Sequence, residues 1–127
     1  MVTEVSEGIK INVETRYQEE YSNPSEGQFI FTYCITIVNQ NNFTVQLLRR
    51  HWIIKDAESG LREVEGEGVI GQQPVLAPGE SYTYESACNL TGEIGAMYGT
   101  YLFVRDGKDT FKVRIPEFKL IAPWKLN

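Results

Sequence analysis

Ile9, Ile11 and Val13 alternate with Lys10, Asn12 and Glu14, and the alternation runs on to Tyr17. A period of two places successive side chains on opposite faces of a pleated strand, so this stretch predicts a strand with one wet face. Gln28–Val38 is apolar or β-branched at nearly every position, which predicts a central strand covered on both faces. Within Phe43–Lys55, Leu48, Arg50, Trp52 and Ile54 alternate with Arg49, His51, Ile53 and Lys55, a third strand. A turn at Asp56-Ala57-Glu58-Ser59-Gly60 reverses the chain into an acidic strand, Leu61–Glu67. Tyr82–Ala87 predicts a short strand and Ala96–Arg105 a strong one, paired through an Asp106-Gly107 turn with Thr110–Ile115. Pro116 has no amide to donate, so Phe118–Ile121 is expected to form only a short edge segment before Pro123-Trp124.

Turn-forming residues separate these runs. Tyr21–Gly27, Asn39–Asn42, the glycine loop Gly66–Gly71, Pro74, Pro78-Gly79 and Cys88–Gly95 all read as loops. No segment carries a helical period. The fold class that follows is all-β: an immunoglobulin-like antiparallel β-sandwich of about seven or eight strands, with a closed barrel as the alternative. The 127 residues contain no repeat, low-complexity tract or linker, so residues 1–127 are expected to form a single domain.

Composition narrows the partners. Seven Tyr, six Phe and two Trp suit half-buried pleated surfaces and support the β reading. A net charge of −5, with most basic residues set among acidic ones, argues against gripping a phosphate backbone, so no nucleic acid is expected. No apolar run approaches the roughly 18 residues of a membrane-spanning helix. The opening MVTEVSEGIK lacks the basic start and apolar core of a signal peptide, so the chain is read as cytoplasmic with reduced thiols. The immunoglobulin disulfide pattern places Tyr two residues before the second cysteine; Ser86 stands there before Cys88. Cys34 is expected to be a small apolar filler, buried and inert within its strand. Asn42-Phe43-Thr44 and Asn89-Leu90-Thr91 match the glycosylation acceptor pattern but read more simply as turns.

The candidate chemistry concentrates between Arg49 and Gly71. Gly66, Gly68 and Gly71 match Gly-x-Gly-x-x-Gly literally. The dinucleotide fingerprint needs a helix N-terminus after the loop, whereas Pro74 and Pro78 follow here, so the Rossmann reading fails on context. Glu63, Glu65 and Glu67 just upstream would repel an anion. A backbone nest still binds one without a helix if Arg49, Arg50 or Arg62 reaches over. The plainer alternative is that the glycines permit positive backbone angles where a bulged strand crosses to the next. His51 reads as a structural histidine and Trp52 as a core residue. Glu63, Glu65 and Glu67 share one strand face, a solvated row that discourages strand addition and does not converge on a metal. Asp106 and Asp109 read as turn residues, and no spacing resembles a zinc site. Ser59, Ser81 and Ser86 lack a nucleophile-elbow context, and Cys88 has no cationic sequence neighbour to lower its pKa, so no catalytic residue is assigned.

Several stretches together resemble the ApaG family: Arg50-His51-Trp52, the Asp56–Gly60 turn, Gly66-Glu67-Gly68-Val69-Ile70-Gly71-Gln72-Gln73-Pro74 and Leu76-Ala77-Pro78-Gly79-Glu80. Tyr84-Glu85-Ser86, Leu90, Gly95–Tyr101 and Ile115–Leu120 extend the match across essentially the whole chain. The resemblance implies a fibronectin type III or immunoglobulin-like sandwich. It also implies an association with cobalt and magnesium homeostasis, a suggested pyrophosphate or nucleotide ligand at the glycine motif, and interaction modules among eukaryotic relatives. The preferred expectation is a non-catalytic binding module that meets a protein partner or itself as a homo-oligomer, with no cofactor. The alternatives are a nucleotide or pyrophosphate module using Gly66, Gly68, Gly71, Arg50 and Arg62, and a direct divalent-metal binder.

Overall fold

The computed structural model describes residues 1–126, which form two antiparallel sheets packed face to face. The strands are β1 (Val2–Ser6), β2 (Ile9–Tyr17), β3 (Phe29–Asn39), β4 (Val45–Asp56), β5 (Gly60–Glu67), β6 (Val75–Leu76), β7 (Ser81–Leu90), β8 (Ile94–Arg105) and β9 (Asp109–Ile121). One sheet has the order β1-β2-β3-β7; the other runs β5-β4-β8-β9, with the short β6 paired to the start of β4. Helical structure among the described residues is confined to three short 3-10 turns at Glu19–Tyr21, Pro24–Glu26 and Pro123–Lys125. The sandwich reading holds.

The core lies where the inner faces meet. Ile9, Ile11 and Val13 of β2 and Phe31, Ile35 and Ile37 of β3 face Leu47, Trp52, Tyr101, Phe103 and Phe118 of the other sheet. Trp52 is the aromatic centre, meeting Tyr33 at 5.5 Å, Phe118 at 5.8 Å and Tyr101 at 6.4 Å between ring centroids, all edge-on. Such edge-to-face pairs add to the area they bury. Trp124 caps one end of the sandwich against Tyr17 and Phe29.

Several sequence expectations are corrected. β1 was not foreseen: its apolar residues, Val2 and Val5, lie three apart, and backbone pairing with β2 makes the strand instead. β3 is central in its sheet but has one buried face; Ile30, Thr32, Cys34, Thr36 and Val38 are half-buried on the other. Cys34 is therefore a half-buried outer-face residue, while Cys88, expected in a loop, lies on β7 and packs into the core. Both thiols are free. Pro116 does not end pairing: β9 runs through to Ile121, with the irregularity absorbed between Met97 and Gly99 of β8. β4 also departs from simple alternation. Its register to β8 shifts between Leu47 and Arg49, so the core-facing residues change from Val45 and Leu47 to Trp52 and Ile54. That bulge sets which side of β4 Arg50 and His51 occupy.

Candidate functional site

The register of β4 with β5 sorts the candidate residues onto two faces. Arg50 pairs with Gly66, Trp52 with Val64 and Ile54 with Arg62, all on the inner side. Arg49 pairs with Glu67, His51 with Glu65 and Ile53 with Glu63, on the outer side. Sequence neighbours therefore do different work.

On the outer side, His51 Nε2 lies 3.1 Å from Glu63 Oε2 and 3.7 Å from Glu65 Oε1. The three glutamates are exposed, as their period of two predicts. His51 hydrogen-bonds a carboxylate in the open, and among the described residues no serine or cysteine is its partner. Beside it, Ile53, Tyr98, Thr100, Arg114 and Glu117 line a shallow cavity of about 460 Å³.

The glycine loop is a tight turn. Val69 N donates to Gln72 O at 2.8 Å and Gln72 N to Val69 O at 2.9 Å, leaving Ile70 and Gly71 at the corner with φ of 47° and 72°. Positive φ at both corner residues defines a type I′ turn. Gly68 has φ 60°, and a Cβ there would lie 2.2 Å from Gln72 O, so only glycine fits. Gly66 answers a different demand. It sits in regular β5, and a Cβ would come within 2.9 Å of the Arg50 guanidinium. Arg50 Nη1 uses that space to donate to Glu67 O at 3.1 Å and Gly68 O at 2.9 Å. The Gly68 amide bonds Leu48 O at 2.8 Å. The loop thus directs carbonyls at its arginine and engages the Gly68, Val69 and Gln72 amides internally, whereas an anion nest needs amides converging outward. Arg62 does not reach the loop. Its Nη2 crosses to the other sheet and donates to Asn89 O at 2.6 Å, with Cys88 Sγ 3.6 Å away.

Arg50 and Arg62 meet in another place: both line a cleft of about 230 Å³ between the edges of β5 and β7, with Tyr33, Val64, Ser86 and Cys88. Tyr84 and Tyr101 share a hydroxyl–hydroxyl hydrogen bond in the core beside it. Burial pushes the phenols of Tyr33, Tyr84 and Tyr101 up, so they stay neutral donors. Burial likewise raises the Cys88 thiol, and the nearby Arg62 does not offset it. That cationic neighbour is invisible in sequence because it comes from the opposite sheet. Tyr33, Tyr84 and Tyr101 carry no such signal in sequence, because β3, β7 and β8 come together only in the folded sandwich; Ser86, set aside as a nucleophile, lines the cleft instead. Among the described residues no cluster of three His, Cys, Asp or Glu side chains is arranged to hold a metal ion. No described helix is long and apolar enough to cross a membrane.

The sequence profile of the ApaG domain matches residues 19–105. The chain belongs to the ApaG family. It is 46% identical to the ApaG protein of Anaeromyxobacter dehalogenans over 127 residues, the whole of both chains. Identity is 48% over 114 residues with that of Acidithiobacillus ferrooxidans, covering 90% of each chain. The crystal structure of a Bordetella pertussis protein described as ApaA superposes with a TM-score of 0.87 at 45% identity, covering 91% of this chain and 94% of that one. An Archaeoglobus fulgidus protein at 10% identity and TM-score 0.51 shares the fold alone. Arg50, Gly66 and Gly68 thus form one unit in an ApaG sandwich, an arginine seated in a turn made to receive it.

Proposed function

We propose that the chain is a non-catalytic interaction module that docks another polypeptide on the β5–β7 side of its sandwich. The observation that supports this reading is the placing of the free strand edges. On one side the sheets close on each other: β1 and β2 pack against β9, and Arg114 N donates to Ser6 Oγ at 3.0 Å. On the other side β5 and β7 each end a sheet, with Arg62 reaching across to Asn89. Edge strands present unpaired amides and carbonyls that template pairing with another chain. β5 carries its three glutamates as a guard against indiscriminate pairing, while the outer face of β7 is uncharged except at Glu85. A link to cobalt or magnesium homeostasis would then run through the partner.

Affinity capture from a native lysate, followed by reconstitution from purified components, tests the reading. A partner that re-forms a stoichiometric complex with the chain is the expected result. Failure to retrieve any specific partner, with the purified chain monomeric in sedimentation at high concentration, would overturn it.

A further inference from the structure

We infer that β7 takes up an extended segment of another protein by strand addition, and that Arg50 and Arg62 read an acidic side chain on that segment's inner face. The inference rests on the reading of the chain as an interaction module and specifies the edge, the register and the partner's chemistry.

The register decides which backbone groups of β7 are free. Glu80 O accepts from Asn39 N at 3.0 Å, toward β3, whereas Asn89 O accepts from Arg62 across the opening. Backbone direction alternates along a strand, so the even-numbered residues of β7 bond β3 and the odd-numbered ones point to the open edge. Arg62 engages Asn89. Thr83, Glu85 and Ala87 then present a continuous row of amides and carbonyls to an incoming strand.

Side chains of such a strand would alternate between the cleft and the outer face. In the cleft they meet Arg62, then Val64, then Arg50 beside Gly66, at the two-residue spacing of β5. None of the ion pairs among the described residues involves Arg50 or Arg62, although the chain carries five net negative charges. Val64 between them is apolar and 38% exposed. The cleft therefore asks for an apolar residue flanked, two positions away, by Asp or Glu. The outer face asks for the opposite sign, because Glu14, Cys34 and Glu85 pair in one row across β2, β3 and β7.

Selection of displayed random peptides on the full chain, with affinities read by fluorescence anisotropy, tests this. The expected winners carry Asp or Glu two positions from an apolar residue and neutral or basic residues at the alternate positions. N-methylation of successive peptide amides should weaken binding with a period of two. Arg62→Glu should lower affinity by about tenfold or more, as loss of a charge-assisted bond does, and a peptide with Lys in place of its acid should restore it. An unchanged unfolding midpoint separates that effect from misfolding. Enrichment of no peptide, N-methyl effects without alternation, or failure of the charge swap would overturn the inference. So would occupation of the edge by a second copy of this chain. If a captured partner still binds Arg62→Glu with full affinity, the inference falls and the interaction module stands. If capture itself finds no partner, the broader reading falls.

Discussion

Asp56 joins two turns that are far apart in sequence. Its carboxylate accepts from Glu58 N at 3.0 Å within its own turn, and from Thr91 N at 2.7 Å, Thr91 Oγ1 at 2.9 Å and Gly92 N at 3.0 Å in the turn after β7. Burial pushes the carboxyl up, but the bonds from Thr91, Glu58 and Ser59 prevail and hold it at about 2, against an ordinary 3.8. A depressed carboxyl stabilises the fold fully above its unfolded value and loses that contribution as pH falls through the folded one. Acid unfolding should therefore draw on Asp56 between about pH 4 and 2, with a contribution on the order of 2 kcal/mol at neutral pH. Asp56→Ala strands buried donors and should cost about 3 kcal/mol in chemical denaturation, with a flatter stability profile below pH 4. Ile70 is the opposite case, a β-branched residue at φ 47° and 58% exposed, where Asn suits the turn better. Ile70→Asn should raise stability by about 1 kcal/mol in the same measurement. At this scale the sequence marked Asp56 as a turn residue. It could not show Thr91 and Gly92 beneath it, because that contact depends on how two turns stack at one end of the sandwich.

Among the elements, β5 is the strand whose composition speaks most directly about association. Glu63, Glu65 and Glu67 lie along its exposed outer face, and its edge is otherwise unprotected. Replacing all three with Thr keeps the strand pattern and removes the charge. Sedimentation velocity should then detect self-association at concentrations where the parent chain does not associate. Most strands were legible because a half-buried strand writes its period of two into the sequence. The exceptions have physical causes. β1 is held by backbone pairing, without an apolar alternation to announce it. β7 continues through Cys88 and Leu90, whose buried positions extend the parity of Tyr84, but the turn-like Asn89, Thr91 and Gly92 mask it. The bulge of β4 flips parity in mid-strand, and only the partner register reveals that.

For the whole molecule, the sequence pointed to a sandwich with a closed barrel as the alternative, and left the order of strands within each sheet open. That order decides which strand edges lie open. β3 pairs with β7 across a separation of some fifty residues, which puts β7 at one sheet's edge, opposite β5 at the other's. Arg50 stays against the glycine loop as expected, Arg62 turns away from it to Asn89, and the two become walls of one cleft because of that arrangement. Docking on β7 requires that strand to have an open edge in the isolated chain. Residue-resolved amide hydrogen exchange measures this directly. With an open edge, the Thr83, Glu85 and Ala87 amides exchange rapidly while Tyr84, Ser86 and Cys88 stay protected, an alternation along one strand. Uniform protection of all six would mean that the edge is already covered, and would contradict docking there.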